Sequence, residues 1–361
     1  MSKVNLTGKK AAAIAVIVII LLSVLVVYAM KWVESDKVTK PEREEHPVDL
    51  SAWIVDWQWK SGLDDLRGIS DGLTSVQAFA AYFDDTDSLY FTKKHREALP
   101  RITEASRQGS LVHVDLTVVN DRIVSDGTTV QKDPTIITRL MATEESRSKH
   151  IDNILDVVAE YDFHGVEIDY ERIDDSDWSN VTAFYAELYQ RLDAIGKSLR
   201  IVLEPRTPIE RLSLPEGPVY VMMAYNLYGG HSGPGPKADH AFIAKLAGRL
   251  DQVPGDNIIA LATGGFDWSE AGKVAAVTEQ RAVELSQLSL KEPQRDVASG
   301  SIYFDYRDDN DVMHTVWYAD HVTLSQWIDV AQQAGYDNIA LWRLGDLGQE
   351  TLKELNRRGL D

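Results

Sequence analysis

The densest chemistry in the sequence is a run of nine residues, Phe163-His164-Gly165-Val166-Glu167-Ile168-Asp169-Tyr170-Glu171. On a β-strand, side chains alternate between faces, so Glu167, Asp169 and Glu171 share one face. Val166, Ile168 and Tyr170 take the other. Neighbours on one face lie about 6.6 Å apart. Burial of acids that close penalises their charged forms, and each charge raises the pKa of the next. One member of such a set can hold a proton near neutral pH, as a general acid must. Two other readings compete. The acids could pair with Arg172 or Arg206 in a solvated loop, or three oxygens could hold a divalent cation. No further acidic cluster follows at loop spacing, so no metal is expected.

Other chemistries lack their residues. The chain has no cysteine, which removes disulfides, thiolate metal sites and a cysteine nucleophile. There is no H-E-x-x-H zinc pattern, no G-x-S-x-G elbow and no phosphate-cradling G-x-G-x-x-G after a strand. No cofactor is expected. The net charge is −19, from 56 acidic and 37 basic residues. An acidic chain of this kind is poorly suited to phosphate backbones, so no nucleic-acid partner is expected.

The elements that must position the acids follow from eight short apolar runs. They lie at 51–57 (SAWIVDW), 75–83, 111–119, 165–169, 199–203, 219–224, 258–263 and 338–342. Runs rich in Val, Ile, Leu and Ala suit strands buried on both faces. Helical patterns intervene, at 144–161, 178–195 and 324–334 among others. Eight strands alternating with helices predict an α/β fold, a (β/α)8 TIM barrel, over 48–361. An open doubly wound sheet is the alternative. Barrel active sites form at the C-terminal strand ends, where Glu171 falls. Residues 301–322 read as a hairpin around a DDND turn and predict a small β-rich insertion between strands seven and eight.

The N-terminus adds a separate signal. Residues 11–30 carry no charge over 20 positions, the length needed to cross a bilayer core, and Lys3, Lys9 and Lys10 precede them. The expectation is a cytoplasmic 1–10, a single transmembrane anchor at 11–30, a charged tether at 31–47 and an extracellular barrel. Cleavage as a signal peptide, giving a secreted protein, is the alternative.

The segment FHGVEIDYE resembles the strand-four signature of glycoside hydrolase family 18, D-G-x-D-x-D-x-E. Met223-Ala224-Tyr225-Asn226 is similar to that family's M-x-Y-D motif. Asn338–Trp342 is similar to its eighth strand ending in Trp, and Val316-Trp317-Tyr318-Ala319-Asp320 to a stretch before the last helix. The closest flavour is the bacterial cell-surface and spore-wall branch. The resemblance implies retaining hydrolysis of β-1,4 bonds in N-acetylglucosamine-containing glycans, chitin-type oligomers or peptidoglycan, with the substrate's acetamide as nucleophile. It implies Glu171 as general acid/base, Asp169 as partner of the acetamide and Glu167 beneath it. Tyr225 would act near the acetamide oxygen and Trp342 as the floor of the cleavage subsite, with Asn226 and Met223 beside them.

Three positions depart from the family pattern. His164 stands for the first Asp, Glu167 for the middle one and Asn226 for the Asp after Tyr225. Glu167 and Asn226 favour an alternative, a catalytically silent glycan-binding or wall-sensing protein. A third reading is a glycosidase using two enzymic carboxylates, Glu171 and Glu204. Trp57 and Trp59, at i, i+2 spacing, are read as lining a sugar cleft from the first strand's end. Glu204 and Arg206 follow the fifth strand and are read as a pair across the mouth. The barrel is expected to act as a monomer.

Overall fold

The computed structural model describes residues 47–359, except 109–111 and 126. The expected cytoplasmic segment, the 11–30 span and all of the tether before Pro47 lie outside the described residues. Among those residues no helix is long and apolar enough to cross a membrane.

Eight parallel strands close on themselves. They are β1 (Asp49–Val55), β2 (Ser75–Phe83), β3 (His113–Ile123), β4 (Gly165–Asp169), β5 (Ser198–Leu203), β6 (Val219–Met223), β7 (Ile258–Ala262) and β8 (Asn338–Trp342). Each pairs with the next, and β8 returns to β1 through Asp49↔Asn338 and its neighbours. This is the closed barrel expected from the sequence, not the open sheet.

Alternation along each strand builds two cores. Val166, Ile168 and Tyr170 join the outer one, between strands and helices, where Val158, Val181 and Phe184 meet them. Inward positions form a second cluster that includes Trp53, Phe79, Val221, Tyr225 and Ala340, with Trp342 packed against it. The helices expected at 144–161 and 178–195 are Glu144–Tyr161 and Trp178–Asp193. Thr143 caps the first of these through a capping box with Ser146.

The insertion between β7 and β8 is larger than a hairpin. Strands Gly264–Ser269, Val274–Val277, Gln294–Arg295, Ile302–Arg307 and Met313–Ala319 form a five-stranded antiparallel sheet, with helix Glu279–Ser286 against it. The expected hairpin is its centre. Gly264 and Gly265 make the step out of the barrel. Gly264 has φ +60, and a Cβ on Gly265 would lie 1.8 Å from the Trp317 carbonyl oxygen.

One boundary differs in a way that matters for the site. The first strand stops at Val55, and residues Asp56–Gln58 turn in a 3-10 helix that leads into helix Trp59–Ile69. Asp56 is buried there and accepts hydrogen bonds from the Tyr82 hydroxyl (3.2 Å) and from Thr92. Those partners hold the turn where an alternating apolar pattern suggested more strand. The i, i+2 strand spacing read for Trp57 and Trp59 is therefore not realised.

Candidate active site

β4 ends at Asp169, so the acid ladder only begins inside the strand. Glu171 lies two residues beyond it, at the mouth, although the alternation of faces persists that far. Its backbone is fixed from β3. The Asn120 side-chain amide accepts the Glu171 N–H at 2.9 Å and donates to the Glu171 carbonyl at 2.9 Å. The next residue, Arg172, has φ 56 and donates its N–H to Glu204 at 2.8 Å. The acid is thus held on both sides by groups from other strands' ends.

Beneath it, Glu167 is fully buried. Trp53 Nε1 and Thr117 Oγ1 (2.9 Å) donate to one of its carboxylate oxygens. Arg200 Nη2 lies 3.0 Å from the other, and the Arg200 guanidinium stacks 5.5 Å from the Trp53 ring. Burial raises the Glu167 pKa, while Arg200, Trp53 and Thr117 pull it back. Asp169 is raised well above the usual range, by burial first and then by the charges of Glu171 and Glu167. Its Oδ1 is buried without a hydrogen-bond partner among the described residues. Burial pushes Glu171 up to about 7, with Glu204 adding to the rise and Lys132 opposing it. The Lys132 ammonium pairs directly with the Glu171 carboxylate.

A cleft of about 690 Å³ opens over this ladder. Asp169, Trp342, Trp57, Phe79 and Tyr82 line it, together with Lys132 and Asn120. Trp342 packs edge-on against Trp53 (5.7 Å) and Phe79 (4.9 Å), which fixes its indole as one wall. Trp57 is 48% exposed and packs edge-on on Phe79 at 5.7 Å. It reaches the cleft from the 3-10 turn, whereas Trp59 packs on the outer core.

A second hollow of about 750 Å³ continues on the far side of Glu171, lined by Glu204, Arg172, Arg206 and Lys245 among others. Lys132, Glu171, Met223, Tyr225 and Asn226 line both. Tyr225 is buried, with its hydroxyl raised by burial and by all three acids. Asn226 is exposed at φ 61, a left-handed position that asparagine tolerates well. So the structure gathers Glu167, Asp169, Glu171, Met223, Tyr225, Asn226, Trp57 and Trp342 in one place, with Glu204 on the far side only.

Sequence reasoning missed three neighbours. Arg200 left a signal: a charge at an inward position of an apolar strand needs a buried partner. Lys132 and Asn120 left none, because one sits in a turn and the other lies within a strand of ordinary composition. In the competing reading Arg172 or Arg206 paired with the ladder; their side chains form no ion pair with it among the described residues, whereas Lys132 and Arg200 do.

The closed parallel barrel and a carboxyl ladder at its C-terminal mouth define the class: a (β/α)8 barrel with a glycosidase-like site. The chain belongs to the glycosyl hydrolases family 18, whose family model matches residues 123–346. A cortical fragment-lytic enzyme of Bacillus anthracis is 24% identical over 306 residues, 77% of this chain and 66% of that protein. The chain spans about half to two thirds of the length of the curated relatives it matches. Among solved structures, a Bacillus cereus spore cortex-lytic enzyme superposes with a TM-score of 0.73 at 17% identity, covering 89% of this chain and 76% of that one. A class V chitinase from Nicotiana tobaccum, in complex with NAG4, gives 0.70 at 15% identity, covering 87% and 99%. At these identities the solved structures speak for the shared fold.

Proposed function

We propose that the chain hydrolyses β-1,4 bonds in N-acetylglucosamine-containing glycans, chitin-type or peptidoglycan, with retention. Glu171 protonates the leaving oxygen and then activates water. Asp169 holds the acetamide N–H while the acetamide oxygen attacks the anomeric carbon. Asp169 also stabilises the positive charge that builds on the sugar, Glu167 beneath it shares its charge or proton, Tyr225 steadies the acetamide oxygen and Trp342 packs on the sugar's apolar face. The observation that carries this reading is the partnerless Asp169 Oδ1 beside a carboxyl group raised to about 7, under a tryptophan-walled cleft. Glu204 lines only the hollow beyond Glu171, away from Trp342, which disfavours the two-carboxylate reading. A silent binder would not need an acid poised to carry a proton near neutrality.

We further propose that residues 11–30 anchor the chain, with the barrel outside the cytoplasm. Incubation of the full chain with chito-oligomers, cello-oligomers and purified peptidoglycan, with mass spectrometry of the products, tests the activity. Only glycans bearing a 2-acetamido group are expected to be cut. Cleavage of cello-oligomers overturns the acetamide mechanism, and extraction of the chain from membranes without detergent overturns the anchor.

Lys132 gives a pH prediction. Its positive charge favours the ionised form of Glu171 and so lowers that pKa. Lys132→Met removes the charge, so Glu171 holds its proton to higher pH. The alkaline limb of kcat/KM, near pH 7 in the parent chain, is expected to move up by about one unit. A limb that stays put or moves down shows that Glu171 is not the group titrating in it.

A further inference from the structure

The two halves of the cleft differ in charge, and Glu171 stands at their boundary. In the half under Trp342, the acids Asp56, Asp121, Asp169 and Glu171 outnumber Lys93, Lys94 and Lys132. Beyond Glu171 the balance shifts. Against Glu171 and Glu204 stand Lys132, Arg172, Arg206, Lys245 and Arg249. This is a local reversal in a chain whose net charge is −19.

Their existing partners separate these cations. Lys132 is paired with Glu171. Arg249 is tied down by Glu210 (2.7 Å) and by the Pro205 and Thr207 carbonyls, so it serves the fold. Arg172, Arg206 and Lys245 are exposed, and none forms an ion pair among the described residues. Leu227 and Phe242 add apolar surface between them. Three unpaired cations around a partly apolar hollow suit a sugar ring that carries an anion.

The catalytic register says which sugar this is. The sugar whose acetamide attacks lies over Asp169 and Trp342, which line only the first half. The leaving oxygen meets Glu171, so the departing sugar occupies the second half. We propose that this second half is a leaving-group subsite for a carboxylate-bearing sugar, read by Arg172, Arg206 and Lys245. It rests on the register proposed above. An N-acetylglucosamine in that subsite leaves the three charges unused. A sugar with an ether-linked lactyl acid engages them.

The test measures binding to the full chain carrying Glu171→Gln, so that no turnover intervenes. Three tetrasaccharides are titrated by calorimetry: a chito-oligomer, an alternating N-acetylglucosamine–N-acetylmuramic acid glycan, and the same glycan with each lactyl acid capped as a methylamide. Exposed ion pairs are each worth about two- to fivefold in affinity, so three together predict roughly a tenfold advantage for the free acid. That advantage should shrink with added salt. It should vanish when Arg172→Gln, Arg206→Gln and Lys245→Gln are combined. Equal binding of the acid and its capped form, or an advantage that survives the triple substitution, overturns the subsite while leaving the hydrolase reading intact. Failure of all three glycans to bind overturns the register and the subsite together. The capped ligand and the salt series need none of the three charge substitutions, so the outcome does not depend on how the triple variant folds.

Discussion

Glu171→Gln is expected to lower kcat by about 10²–10⁴-fold, the range a positioned general acid contributes. The substitution keeps size and neutral hydrogen bonding but removes the transferable proton. Glycan binding should persist, because the apolar walls formed by Trp342 and Phe79 do not depend on this carboxyl group. The residual rate should also lose its fall near pH 7, since the group pushed to about 7 is gone. Rates on chito-oligomers and wall glycan across pH 5–9 check both points. Turnover at the parent rate would remove Glu171 from the mechanism and assign the acid to another group.

The second large effect concerns stability. Arg200→Met leaves Glu167 fully buried without its only cationic neighbour within ion-pair distance among the described residues, and takes an opposing charge from buried Asp115. Breaking a buried pair from one side costs about 3–5 kcal/mol. Glu167, already raised by burial, offsets part of this by taking a proton. Arg200→Lys keeps a charge but loses the planar group over the Trp53 ring, so its loss should be smaller. Urea unfolding of parent and both variants at pH 7 measures the order. A fully stable Arg200→Met would mean that Glu167 is already neutral in the folded chain.

The barrel was legible because its strands are buried on both faces, which leaves compact apolar runs whose ends are marked by polar residues. Gly165–Asp169, Ser75–Phe83 and Asn338–Trp342 coincide with the runs read from sequence. The catalytic-type face was legible for the same reason, since acids in such a run have few bland explanations. What failed was local geometry set from a distance. Trp57 follows a strand pattern, but Tyr82 and Thr92, from β2 and the segment after it, take Asp56 and turn the chain before it. Lys132 reaches Glu171 across 39 residues of sequence. No periodicity reports a contact of that range. The size of the inserted sheet was hidden too, because Gly264–Ser269 and Val274–Val277 carry no strong alternation of their own.

The Asn120 clamp has a consequence for how the molecule can be divided. The recognisable family stretch starts at residue 123, yet three of the groups that seat the ladder, Trp53, Thr117 and Asn120, precede it. The signature residues therefore rest on a foundation from the part of the chain that the family model does not reach. A fragment trimmed to the matched stretch would keep every motif letter and lose three of the eight staves that hold them in register. Sequence drift in β1–β3 is where this site can be retuned without touching any of the motif letters.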